Sequence, residues 1–178
     1  DEADLGRGDV LVALTASGTT PFVLGALKKA YEKHGRTVAV TCNPDSPVRS
    51  FVEIAIVPKV GAEIVAGSTR LKAATAQKLV LNMLTTATMI RLGRVYDGYM
   101  IGIQPTNRKL VDRAKRIIMA LTGAKPEKAE SLLSYAEGDV RVAIILAKTG
   151  SSLEEARHLL DEAGGSLRQA LKAAGCSV

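Results

Sequence analysis

Residues 9–15 (DVLVALT) form a short apolar run rich in β-branched side chains, and the run breaks at once into Ala16-Ser17-Gly18-Thr19-Thr20-Pro21. A periodic segment follows, Phe22–His34, in which Val23, Leu24, Leu27, Ala30 and Tyr31 recur at helical spacing until Gly35 stops it. Thr37–Cys42 (TVAVTC) and Ile54–Val57 read as second and third strands. Strand, helix and strand at this spacing predict parallel βαβ units. Their near-continuous apolar character predicts a sheet covered on both faces. Beyond Pro58 no strand of comparable strength is expected. Residues 69–94 read as one long helix, apolar nearly all round between Leu79 and Leu92, hence a central packed helix or a subunit interface. Residues 106–121 read as a second, strongly basic helix.

The last third repeats itself. Ala129, Leu132, Leu133, Ala136, Gly138, Val140, Arg141, Ala143 and Ile144 recur 27 residues later as Ala156, Leu159, Leu160, Ala163, Gly165, Leu167, Arg168, Ala170 and Leu171. Each copy reads as a short helix, a glycine turn and a second short helix, and one copy alone can hardly bury its apolar face. A structural cap is favoured over a protein-binding module. The expected architecture is α/β: a parallel-sheet domain over residues 1–122, with its long helix at 69–94, then a small all-α bundle over 123–178.

Composition narrows the function. The chain has 178 residues, 47% of them apolar, so a core can be buried, but aromatics supply 3% and there is no Trp. The net charge of +6 is unevenly placed. Seven cations meet seven carboxylates in residues 1–60, ten meet three in 61–120, and seven meet eight in 121–178. Interleaved aromatics are few in the basic third, so a compact anionic ligand fits better than a nucleic acid. Two cysteines, Cys42 and Cys176, make no disulfide framework and match no zinc spacing. His34 and His158 lie in charged helical stretches, so no metal is expected. The stretch around Lys78–Leu92 is too short and polar to span a membrane, and a soluble, cytoplasmic protein is expected.

Two segments carry candidate chemistry. Ser17-Gly18-Thr19-Thr20-Pro21 follows a strand and opens a helix. There glycine permits a tight turn, proline suits the first helical position, and hydroxyls sit beside N–H groups that attract anions. Phosphate binding competes with an ordinary N-cap at Thr19 or Thr20. Without a dinucleotide fingerprint or a P-loop lysine, a small phosphorylated metabolite is favoured over a nucleotide. The second segment is Gly61-Ala62-Glu63 followed by Gly67-Ser68-Thr69-Arg70-Leu71-Lys72. Ser68 or Thr69 would cap the long helix, with Arg70 and Lys72 strengthening an anion site. Glu63 would bind a sugar hydroxyl or amide, transfer a proton, or simply occupy an exposed loop.

TASGTTPFVLGAL, VTCNPDSP and GAEIVAGSTRLKAATAQKLVLNMLTTATMIRLGRVY together resemble the N-acetylmuramic acid 6-phosphate etherase family, in the right order and with a helical tail of the family type. That family belongs to the sugar-isomerase domain superfamily and is related to the glucokinase regulatory protein. One departure is Ala62, where the family usually has Pro. The resemblance implies cleavage of the D-lactyl ether of N-acetylmuramic acid 6-phosphate by elimination and hydration, giving N-acetylglucosamine 6-phosphate and D-lactate in cell-wall recycling. It implies no metal or organic cofactor. It places Ser17, Gly18, Thr19 and Thr20 in a sugar-phosphate loop and Glu63, Ser68, Thr69 and Lys72 along the same cleft, with a homodimer expected.

The family's Gly-Thr-Ser-Gly phosphate loop and its two acid/base glutamates lie upstream of the TASGTTP segment, and nothing in Asp1–Gly8 matches them. Glu2 and Asp4 are not assigned as catalysts. The expectation is therefore a C-terminal portion that lacks the first strands of its sheet and has reduced or no activity, its catalytic residues unassigned. The alternative is a phosphosugar-sensing regulatory module like the glucokinase regulatory protein. A protein-interaction bundle on a scaffold is a third reading, and nucleic-acid binding the last.

Overall fold

A computed structural model describes residues 4–177; Glu2 lies outside the described residues. The chain divides into two compact units, Asp1–Leu84 and Thr85–Val178.

In the first unit the apolar runs become strands β1 (Val10–Leu14), β2 (Arg36–Val40) and β3 (Ile54–Ile56), with helix α1 (Pro21–Glu32) between the first two. All pairings are parallel, in the order β1-β2-β3, with Ala13 opposite Ala39 and Ala39 opposite Ala55. The paired alanines explain the packing over this face. They leave room for α1 to approach closely, so Leu27, Ala39 and Val48 of the 3-10 helix Pro47–Phe51 form a fully buried cluster with Ala13. Cover on both faces is only partly realised. Central β2 is buried at Val40, but the edge strands leave Val10 at 56% and Ile54 at 50% exposure. At one edge the Arg36 guanidinium donates to Glu53 across 2.8 Å.

Helix α2 (Lys72–Arg91) begins three residues later than expected. Among the described residues it does not become a buried central helix: Leu79, Met83 and Ile90 are each more than half exposed.

The second unit begins within α2 and continues with a hairpin, β4 (Val95–Tyr96) with β5 (Tyr99–Met100), absent from the sequence expectation. Its turn is Asp97-Gly98, both residues left-handed at φ 47° and 77°, the pairing that two-residue hairpins favour. Helices α3 (Arg108–Thr122), α4 (Pro126–Tyr135), α5 (Val140–Thr149), α6 (Leu153–Glu162) and α7 (Leu167–Ala173) follow. The basic face of α3 looks to solvent while Ala114, Ile117 and Ile118 enter the same core as Ile144, Leu167 and Leu171. By packing, α3 therefore goes with the helices after it. The 27-residue spacing reappears in the backbone. Glu137 and Gly138 are left-handed, as are Gly164 and Gly165, and the next residues, Asp139 and Ser166, are the N-caps of α5 and α7.

Candidate functional site

The turn between β1 and α1 is held by its own hydroxyls. Thr15, which is buried, donates its backbone N–H to Val40 O and so extends the β1–β2 ladder by one bond. Its Oγ1 accepts from Gly18 N at 3.1 Å and lies 3.0 Å from Thr20 Oγ1. Gly18 turns the chain at φ 76°. Ser17 and Thr19 pair with each other, Oγ to Oγ1 at 3.0 Å, on the exposed side. Thr20 is the N-cap residue of α1, with Pro21 next, but its side chain caps no N–H because the hydroxyl is turned to Thr15. The N–H groups of Phe22 and Val23 thus open α1 without a capping side chain, and that end carries about half a positive charge.

The second segment folds back differently from expectation. Neither Ser68 nor Thr69 starts the helix. Instead the Glu63 carboxylate accepts from Lys72 N at 3.1 Å and from Ala73 N at 3.0 Å, filling the N-terminus of α2. These backbone bonds, Ala73's foremost, hold the Glu63 carboxyl below its ordinary value; partial burial opposes them and the Lys72 charge assists. The Lys72 ammonium donates to Ala62 O at 2.7 Å. Nearby, burial pushes the Cys42 thiol up, and the Glu63 charge adds to this.

Between these segments, beyond the carboxyl end of β1, lies a cleft of about 790 Å³. Parallel α/β sheets bind ligands in this position. Of the residues proposed from the sequence it brings together Thr20, Ser68 and Thr69. Arg70, weighed there as a supporting cation, also lines it. Its Nε donates to Ser68 Oγ at 3.0 Å, which aligns hydroxyl and guanidinium. Ser17, Gly18, Thr19, Glu63 and Lys72 do not line the cleft. Sequence reasoning missed two polar lining residues, Thr15 and Gln77. Thr15 is the polar residue that ends the first apolar run. Gln77 had no local signal: its amide reaches across to Val40 O at 3.0 Å, a contact between residues 37 positions apart.

Among the described residues the polar lining holds four hydroxyls, one amide and one guanidinium, and no carboxylate. Such a surface favours a phosphate bound to a polyhydroxylated body. Among the described residues no three His, Cys, Asp or Glu side chains are grouped to hold a metal ion. No helix there is long and apolar enough to cross a membrane.

The SIS domain family model matches residues 2–87. N-acetylmuramic acid 6-phosphate etherase 2 of Vibrio cholerae is 52% identical over 143 residues, covering 80% of this chain and 47% of that protein. The N-acetylmuramic acid 6-phosphate etherase of Serratia proteamaculans is 51% identical over 141 residues, covering 79% and 48%. That of Clostridium botulinum strain Loch Maree is 48% identical over 141 residues, covering 79% and 47%. The chain spans about half the length of the curated relatives it matches. A solved Salmonella typhimurium LT2 chain, described as a candidate phosphosugar isomerase, covers 68% of this chain and 38% of its own at 21% identity and TM-score 0.35, too loose a likeness to support an inference.

Proposed function

We propose that this chain, a SIS-domain relative of the N-acetylmuramic acid 6-phosphate etherases, supplies the phosphosugar-binding cleft of a carbon–oxygen lyase. The reaction releases D-lactate from N-acetylmuramic acid 6-phosphate and leaves N-acetylglucosamine 6-phosphate. One observation carries the reading: the cleft past β1 is lined by Thr15, Thr20, Ser68, Thr69 and Arg70 with no opposing carboxylate. The Arg70 guanidinium takes the phosphate beside Thr20, at the N-terminal end of α1, and the hydroxyls take the sugar.

Elimination needs a base for the proton at C2 and an acid for the departing lactyl oxygen. Glu63 is a poor base for this work, because two backbone N–H groups hold its charge and it does not line the cleft. In this reading the chain binds, and acid–base groups outside its described cleft complete the chemistry. In calorimetry the 178-residue chain is expected to bind N-acetylglucosamine 6-phosphate, Arg70→Ala to bind it about tenfold more weakly, and lactate release to stay far below that of a complete etherase. Absence of binding, or equal binding by wild type and Arg70→Ala, overturns the assignment.

The same absence of a lining carboxylate favours a second reading, a phosphosugar sensor that binds without catalysis. A full-length form that binds but releases no lactate would select it. Exposed Leu79, Met83 and Ile90 on α2 support a homodimer. Free thiols at Cys42 and Cys176 fit a reducing cytoplasm.

A further inference from the structure

We infer that Glu63 and Lys72 are positioning residues, a two-way clasp that presents Ser68, Thr69 and Arg70 to the cleft and reserves the phosphate for α1 by filling the N-terminus of α2. The inference rests on the phosphosugar reading of the cleft and assigns a role to two residues that do not line it.

Residues 61–71 contain no helix or strand. Apolar burial does not hold them either: Ile64 is 81% exposed, Val65 62% and Leu71 51%. Polar bonds close the segment instead. At its head, Lys72 Nζ donates to Ala62 O at 2.7 Å, and the adjoining Glu63 carboxylate receives Lys72 N and Ala73 N. Inside the loop, Ser68 N donates to Val65 O and Arg70 Nε to Ser68 Oγ, each at 3.0 Å. At its exit, Ala74 N donates to Thr69 O at 3.1 Å. The cleft-lining stretch Ala66–Arg70 is therefore suspended between the two ends of one clasp.

The clasp also selects between anion sites. Both α1 and α2 begin in this unit, and either helix N-terminus would attract a phosphate. That of α2 already holds the Glu63 carboxylate, whereas no side chain caps α1. An incoming phosphate is directed to α1 and Arg70 because the competing position is filled from within.

The test uses the full 178-residue chain, inorganic phosphate and N-acetylglucosamine 6-phosphate, with backbone amides followed by NMR. In wild type, phosphate shifts the amide signals of Phe22 and Val23 and leaves those of Lys72 and Ala73 unmoved. In Glu63→Ala, phosphate also shifts Lys72 and Ala73, and the sugar phosphate binds about tenfold more weakly. Glu63→Gln keeps the side-chain length and guards against loss of fold; it too binds more weakly. Lys72→Met, which frees only the head of the loop, weakens binding without recruiting phosphate to α2. If wild type and Arg70→Ala differ while Glu63→Ala and Glu63→Gln bind like wild type, the clasp is wrong and the cleft stands. If wild type binds no sugar phosphate, the cleft assignment itself falls.

Discussion

Gly18 passes so close to Ser46 that a methyl group placed on Gly18 would lie 2.2 Å from Ser46 Cβ and 2.5 Å from its hydroxyl oxygen. Ser46 is buried, and among the described residues its hydroxyl has no hydrogen-bond partner, so it is seated by packing against the turn. Gly18 also has φ 76°, where a Cβ is strained by about 1–2 kcal/mol. Overpacking adds about 1–3 kcal/mol. Gly18→Ala should therefore destabilise the chain by about 2–5 kcal/mol in urea unfolding. Gly25, inside α1, meets nothing within 4 Å of an added Cβ. Gly25→Ala should stabilise by about 0.5–1 kcal/mol through helix propensity. Equal effects at both sites would refute the close approach.

Phosphate binding should follow the ionisation of the ligand, because the cleft contributes one permanent cation, Arg70, and no acid. A phosphate monoester gains its second charge near about pH 6. Affinity for N-acetylglucosamine 6-phosphate is expected to rise through that value and to fall with added salt, since Arg70 is exposed to solvent. A flat profile between about pH 5 and 7 would show that charge does not drive binding.

How much of this was legible in the chain differs from element to element. The three strands and α1 were, because their apolar runs are bounded by Gly, Pro and Thr within a few residues, and each signal is local. The start of α2 was not. Ser68 and Thr69 look like caps, but the carboxylate that performs the capping comes from Glu63, nine residues before Lys72. No local pattern marks a cap delivered across a loop. The hairpin Val95–Met100 had its signal in Asp97-Gly98, obscured because its strands are only two residues long. For the candidate site, hydroxyls near a helix start pointed to the two segments that flank the cleft past β1. Which of them face one cleft depends on how the turn is tied: Thr15 draws Thr20 inward, whereas Ser17 and Thr19 pair outside.

In the second unit, Asp139 is N-cap of α5, accepting from Arg141 N at 2.9 Å, and it also pairs with the Arg141 guanidinium at 2.7 Å. Burial pushes its carboxyl up, but the Arg141 contacts outweigh this and the net displacement is downward from 3.8. A folded-state value below the unfolded one means the stabilisation is present above about pH 4 and is lost as pH falls through the lowered value. Asp139→Ala removes the cap and leaves the largely buried Arg141 guanidinium without its carboxylate partner, a loss of about 2–3 kcal/mol at neutral pH. Asp139→Asn keeps a good cap and should recover about half of that loss. It should also remove this group's share of the acid sensitivity. If both variants unfold at the wild-type denaturant midpoint, the pair is not stabilising.

Leu79, Met83 and Ile90 recur at intervals of four and seven along α2 and are 55%, 62% and 54% exposed. Side chains at this spacing share one side of a helix. Exposed apolar surface of that continuity marks an association face in a soluble protein. In a symmetric dimer the same stripe meets its own copy, so one substitution is felt twice. Met83→Glu would bring two like charges together at the seam, and Lys78, already exposed, serves as a control site. Sedimentation equilibrium should give a dimer for wild type and for Lys78→Gln, and a monomer for Met83→Glu with its helical circular dichroism retained. A wild-type chain that stays monomeric as its concentration is raised would leave this stripe to some surface other than a second copy of the chain.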